Sequence, residues 1–277
     1  MHLKRLWEEK INWLLFLWLD YSLIFRPGWL IFSAGVLLWV FLLYFTTPGV
    51  FWNLIAMLKT NRDQSEDLIT KALSFQPATP KPYINLALIK AKKKKWDEAV
   101  TLLEQANNKP GRPLPPRLKI VWAICYREAG EYGKAIELCQ ALIKENYINS
   151  QVYFNLAFTH FKAGALEEAL KAAEKARALN VNETEPVILI GRIHFAMKDY
   201  QAAKNDYEWS ITHTSWPVES YYWLGRSELE LGEINQAISN LKTAVQRITD
   251  DPLLSDVPME EAQQWLDKAL TLKLQES

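Results

Sequence analysis

The chain has 277 residues, 49% of them apolar and 23% charged, the balance of an ordered protein and not of a disordered one. Lys+Arg and Asp+Glu both number 32, so the chain as a whole carries no electrostatic signature of a polyanionic partner. Two cysteines, Cys125 and Cys139, exclude a disulfide framework and a cysteine-based zinc site.

The bias is local, and it begins at once. Residues 11–25 read "INWLLFLWLDYSLIF", about 22 Å as a helix and short of a bilayer's hydrocarbon core. Asp20 makes insertion costlier. Leu3, Leu6, Trp7, Ile11, Leu14, Leu15 and Trp18 form an apolar stripe opposite Lys4, Arg5, Glu8 and Glu9. Residues 1–26 therefore read either as an interfacial helix or as a short first membrane segment. After the turn signal "RPGW", residues 27–58 hold 32 positions without a charged side chain. Within them "WLIFSAGVLLWVFLLYFT" is about 27 Å long as a helix, close to the thickness of the hydrocarbon core. Trp29 and Tyr44 stand near its ends, as interfacial aromatics do. Residues 27–47 are expected to be a transmembrane helix. No small-residue cleavage site follows, so a retained anchor is expected. Thr46, Thr47 and Pro48 suit the start of the next helix directly.

Beyond Leu58 the apolar positions fall at helical spacing and strand patterns are absent. "PGVFWNLIAMLK" and "DQSEDLITKALSFQP" read as a degenerate first helix pair, residues 48–79. Five stretches then align without gaps, beginning at Asn85, Val121, Asn155, Leu189 and Trp223. One column of small residues is Ala87, Ala123, Ala157, Gly191 and Gly225; a second is Ala99, Ala135, Ala169, Ala203 and Ala237. The columns step by 36, 34, 34 and 34 residues. Small residues let neighbouring helix backbones approach while large neighbours fill the gaps. Gly130, Gly164 and Gly232 sit where a first helix must stop. One such pair cannot bury both its faces, so pairs must stack. A loop "NNKPGRPLPP" is two residues longer than its counterparts, and its prolines favour an extended path.

This pattern resembles the tetratricopeptide repeat (TPR), with its small residue in the first helix and alanines at two sites of the second. The later small site holds Ala72, Ala106, Ala176, Ser210 and Ala244, with Leu142 departing in the third copy. The resemblance implies an all-α fold, a right-handed α-solenoid of TPR helix pairs; the apolar stretch before it adds an N-terminal transmembrane anchor, and the amphipathic segment after it a C-terminal capping helix. Residues 80–251 hold five repeats and residues 252–277 the capping helix.

The basic run Lys92, Lys93, Lys94 and Lys95 falls at the end of a first helix and in its turn, where cations complement the helix dipole. A membrane-surface contact is the second reading. Residues 59–119 hold 13 basic and 6 acidic side chains, net +7; residues 120–277 hold 15 and 23, net −8. The basic half adjoins the apolar stretch and would be drawn to an anionic leaflet. The lysines are not interleaved with stacking aromatics, so nucleic acid is not a partner on this reading. The +7 segment favours a cytoplasmic repeat domain on an integral membrane protein. A first segment lying flat on the inner face would reverse that.

The resemblance implies a concave face built by the first helices that binds peptides. Its columns are Ile84 and Leu88; Ile120, Ile124 and Arg127; Phe154, Phe158 and Phe161; Ile188, Arg192 and Phe195; Tyr222, Arg226 and Leu229. Each of these either faces a ligand or packs between repeats. An apolar strip with three arginines suits an amphipathic helix or an extended segment carrying some acidic residues. The family's clamp for a C-terminal carboxylate wants a lysine in the column occupied here by Ile84, Ile120, Phe154, Ile188 and Tyr222; only Asn85 and Asn155 match its asparagines. His160 and His194 share a column without a third metal ligand and read as satisfied core histidines, as Cys125 and Cys139 read as small buried thiols. No glycine-rich phosphate loop or nucleophile elbow occurs. The chain thus reads as no enzyme, with no cofactor, metal or small-molecule substrate. The expected function is a membrane-anchored scaffold or assembly factor for a membrane-bound or membrane-proximal protein. Its alternatives are a regulatory subunit or tether of a membrane enzyme, and a lipid-surface structural protein.

Overall fold

The computed structural model describes residues 29–57, 62–110, 113–215, 217–252 and 255–276; the expectation for residues 1–26 lies outside them. Among the described residues there are fourteen helices and no strand. The chain divides into two compact units, residues 1–130 and 131–277.

In the first unit α1 (Trp29–Thr46), α2 (Pro48–Met57), α3 (Arg62–Ser74), α4 (Lys81–Lys92), α5 (Trp96–Asn107) and α6 (Pro116–Glu128) each pack on the next. Pro48 and Pro116 open their helices and Pro82 lies in the first turn of α4, where a missing N–H costs nothing. The second unit holds α7 (Tyr132–Lys144), α8 (Ser150–Lys162), α9 (Leu166–Leu179), α10 (Glu185–Ala196), α11 (Tyr200–His213), α12 (Val218–Glu230), α13 (Ile234–Asp250) and α14 (Met259–Glu276), again each against the next.

The small-residue columns are the seams of this packing. Ala87, Ala123 and Ala157 are buried, and Ala99, Ala135, Ala169, Ala203 and Ala237 are wholly enclosed. At Gly191 an added Cβ would stand 2.8 Å from the Tyr207 ring, and at Gly225 it would stand 2.7 Å from Leu241 Cγ. Leu142, the departure from the small-residue pattern, is itself fully buried.

Each first helix of these pairs ends in a left-handed residue. Gly130, Gly164 and Gly232 have φ of +82°, +80° and +78°. The same column holds Lys94 at +58° and Lys198 at +65°. The closing bonds are alike: the N–H of Lys95, Ala165, Asp199 and Glu233 donates to the carbonyl five residues back, at 2.8–3.0 Å. A Cβ in this region is strained. Lys94→Gly and Lys198→Gly are each expected to stabilise by about 0.5–1 kcal/mol, seen as a rise in the denaturation midpoint without a change in slope.

Glu228 on α12 is buried, and Asn240 Nδ2 donates to both its oxygens at 2.9 and 2.8 Å. Burial pushes its carboxyl up to about 7. The folded state then holds a proton that the unfolded state releases between the ordinary carboxylate value and that point. Stability is therefore full at low pH and is lost as pH rises through about 7, on the order of 2 kcal/mol for this group. His194, raised first by its bond to Asp206, adds to the loss in the same direction. Thermal unfolding from about pH 5 to about pH 8 should show the decline, and Glu228→Gln should flatten it.

The apolar N-terminal stretch is not one straight rod. Among the described residues no single helix is long and apolar enough to cross a membrane; 36–44 and 48–56 meet that test only together, bent by 116°. The break is at Thr47, because the following Pro48 disfavours helical geometry in the residue before it.

Candidate protein-binding face

Three helices of the second unit carry the expected columns. On α8, Phe154, Phe158 and Phe161 stand at i, i+4 and i+7 and so share one side. Their rings lie 6.1 and 6.4 Å apart with interplanar angles of 25° and 13°. α10 carries Ile188, Arg192 and Phe195; α12 carries Tyr222, Arg226 and Leu229.

The arginines act as joints between these helices. The Arg192 guanidinium lies 5.7 and 5.3 Å from the rings of Phe158 and Phe161 behind it, and 5.7 Å from Trp223 ahead. Its Nη1 is 3.5 Å from Glu219. Arg226 repeats the arrangement: 5.0 Å from Phe195 behind, 4.4 Å from Trp223 and 4.3 Å from Trp265 ahead, with Glu261 at 3.9 Å. It also donates to the Tyr222 hydroxyl at 3.1 Å, which in turn donates to Glu261 at 2.5 Å. A guanidinium between ring faces gains from both cation–π attraction and stacking. Burial pushes the Glu219 carboxyl up, with Arg192 opposing. Burial, with the bond to Glu261 second, holds the Tyr222 hydroxyl protonated well past its ordinary range. Arg192 and Arg226 thus pack between repeats, and Tyr222 is enclosed with them at 2% exposure. Phe154, Phe158, Phe161, Ile188, Phe195 and Leu229 remain half-open, and Lys162 Nζ lies 5.7 Å from the Phe158 ring.

In the first unit Leu88 is exposed and Ile84 and Ile124 are half-buried, whereas Ile120 and Arg127 are enclosed at 2% and 8%. Arg127 Nε donates to Glu128 at 2.9 Å. The asparagines that match the carboxylate clamp serve the fold: Asn85 Nδ2 donates to Asn53 at 3.0 Å and Asn155 Nδ2 to the Gln151 carbonyl at 2.8 Å.

The lysine run joins helices of the first unit. Lys93 pairs with Glu66 at 2.8 Å and Lys95 with Glu98 at 3.2 Å, while Lys90 reaches Glu66 at 2.9 Å and Glu98 at 2.5 Å. Lys93 first and Lys90 second hold the Glu66 carboxyl below its ordinary value. Lys92 and Lys94 are exposed at the turn.

His194 Nδ1 lies 2.7 Å from Asp206; burial lowers His160. Burial also pushes the Cys125 thiol up to about 11, and both cysteines are enclosed. Among the described residues no three His, Cys, Asp or Glu side chains are grouped to hold a metal.

Sequence reasoning named the arginines but missed Glu219, Trp223, Glu261 and Trp265. The signal was present: Glu-x-x-x-Trp occurs at 219–223 and again at 261–265, and i, i+4 puts both side chains on one side of a helix.

Comparison with known proteins agrees with this architecture. Two tetratricopeptide repeat models match, one over residues 126–193 and the other over residues 218–251. The chain is 30% identical over 139 residues to Hsp70-Hsp90 organizing protein 3 of Arabidopsis thaliana, covering 46% of this chain and 25% of that protein. It is 28% identical over 142 residues to the Hsp70-Hsp90 organizing protein of Triticum aestivum, covering 47% and 24%. The match thus spans about a quarter of the length of these curated relatives. A tetratricopeptide repeat protein of Parabacteroides merdae has the same fold, with a TM-score of 0.62 at 13% identity, covering 86% of this chain and 92% of that one. A thermophilic TPR protein in Thermus thermophilus gives 0.55 at 17%, covering 70% and 100%. Residues 126–193 and 218–251 are thus matched as tetratricopeptide repeats, and the chain has the fold of solved tetratricopeptide repeat proteins.

Proposed function

We propose that the chain is a membrane-anchored scaffold, acting in the assembly of a membrane-bound or membrane-proximal protein, and that it holds a helix or extended segment of that partner on the open face of α8, α10 and α12. The observation that carries this reading is the half-open row Phe154, Phe158 and Phe161, continued by Ile188 and Phe195. Aromatic rings left part-exposed in a line are the usual anchors of an interface. Because Arg192 and Arg226 already face Glu219 and Glu261, the surface left to a ligand is mainly apolar, and an acidic residue in it would meet Lys162 at the rim. The similarity to Hsp70-Hsp90 organizing proteins supports a protein ligand.

The anchor rests on α1. Leu37, Leu38 and Phe41 are 69%, 59% and 57% exposed, an apolar surface that water disfavours and lipid does not. The net +7 of residues 59–119 supports a repeat domain on the cytoplasmic side. A photo-crosslinker in place of Phe158, activated in intact membranes, should give a discrete protein adduct. That adduct should vanish when Phe154 and Phe161 become serine while helical content is kept. Adducts to lipid alone, or capture indifferent to those two serines, overturn the assignment of the face.

A further inference from the structure

The corner between α1 and α2 is built to hold one angle. Thr46 Oγ1 donates to the Leu42 carbonyl at 2.6 Å, and the Thr47 N–H to the Leu43 carbonyl at 3.0 Å. The Thr47 carbonyl then accepts the N–H of Val50 at 2.9 Å and of Phe51 at 3.1 Å. One residue thus closes α1 and opens α2, and it is buried, as is Leu43. Tyr44, Phe51 and Trp52 meet edge-on across the corner, with centroids 5.2, 6.3 and 5.2 Å apart. Gly49 seats the start of α2 against α3, where a Cβ would lie 3.0 Å from the Ala72 carbonyl oxygen. Ser65 Oγ donates to the Ala56 carbonyl at 3.0 Å, and Asn85 of α4 donates to Asn53 of α2. The bend is thereby tied into the first helix pairs.

The outer surface changes character across that corner. α1 presents Leu37, Leu38 and Phe41. One turn later Tyr44 is exposed, and so are Lys71 near the end of α3 and Phe75 just after it, together with Asp67, Thr70 and Ser74 of α3. Lys71 Nζ stands 3.8 Å above the half-buried Trp52 ring. Leu37, Leu38 and Phe41 giving way to Tyr44 and then to Lys71 follows the order a bilayer imposes, from apolar core to amphipathic aromatic and basic groups at the headgroups.

The geometry points to the α1–α2 corner as a fixed mount on an anionic bilayer surface, with α1 in the hydrocarbon and Tyr44, Trp52, Lys71 and Phe75 at the level of the lipid phosphates. This rests on the anchored reading given above. A second copy of the chain is the poorer occupant, because it would bring two +7 segments (residues 59–119) together, whereas an anionic leaflet answers that charge. Each basic residue near such a surface strengthens attachment about fivefold.

The test uses the full chain with Cys125 and Cys139 replaced by alanine. Single nitroxide labels are placed at Leu38→Cys, Ser74→Cys and Val181→Cys, and the protein is reconstituted in phosphatidylcholine vesicles with or without phosphatidylserine. Collision with oxygen and with a water-soluble nickel complex reports depth. The expected result is position 38 in the hydrocarbon, position 74 at phosphate depth in the anionic vesicles, and position 181 in water. Lys71→Glu, or omission of phosphatidylserine, should move position 74 outward and leave position 38 in place. If position 38 is deep but position 74 is as wet as position 181, the mount fails and the anchor stands. If position 38 is wet, both fail. Dipolar broadening between copies at position 38, without oxygen access, puts a second chain on α1 and overturns the mount as well.

Discussion

Gly225→Ala lowers stability by about 1–3 kcal/mol, even though alanine is the better helix former by about 1 kcal/mol. The new methyl would stand 2.7 Å from Leu241 Cγ and 3.2 Å from the Ala237 carbonyl oxygen. Leu241 is fully enclosed and Ala237 is itself a seam residue with no free surface, so α12 and α13 must part. Gly191→Ala follows the same logic against Tyr207, also fully enclosed. There a partner change separates overpacking from any other cause. Gly191→Ala combined with Tyr207→Leu should recover part of the loss, because the ring that blocks the methyl is gone. Tyr207→Phe alone should be neutral or slightly stabilising, since the hydroxyl is buried without a hydrogen-bond partner. Chemical denaturation of the four variants provides the measurement.

Arg226→Ala should cost about 2 kcal/mol and show it at one place, the join of α12 to α14. The substitution removes a cation from Trp223, Trp265 and Phe195 together and leaves Glu261 with only the Tyr222 hydroxyl of that cluster. Amide exchange in α14 should quicken while α8 and α9 keep their protection. Lysine should restore less than half the loss, because an ammonium cannot lie flat between two rings. Equal quickening of exchange throughout the second unit would contradict a local joint.

What could be read in the sequence was what repeats along one helix. The small columns declared themselves because Ala99, Ala135, Ala169, Ala203 and Ala237 recur at fixed steps and each must be small for the same local reason. Gly130, Gly164 and Gly232 marked their turns by residue type. Lys94 and Lys198 did not, since a lysine carries no sign that its backbone is left-handed. Arg192 and Arg226 were visible as members of a face, but their direction was not: the acids and rings they reach lie on the next helix, and only packing brings those near. Lys93 was visible as a turn residue, yet Glu66, its partner on α3, is remote in the chain. The sequence predicts a helix ending at residue 47 and another opened by Pro48, but the 116° between α1 and α2 depends on Gly49, Ala72 and the aromatic corner together.

Arg192 finds its acid and its tryptophan on α12, and Arg226 finds the same pair on α14. At this joint α14 answers the last repeat as one more repeat would, yet it turns Gln263, Gln264, Asp267 and Lys268 outward. An array whose every level offers the same socket has no intrinsic terminus and would go on recruiting like modules from neighbouring molecules. In this chain the socket that Arg226 offers is filled from within, by Glu261 and Trp265 of α14, so that joint is not left open to a neighbouring molecule.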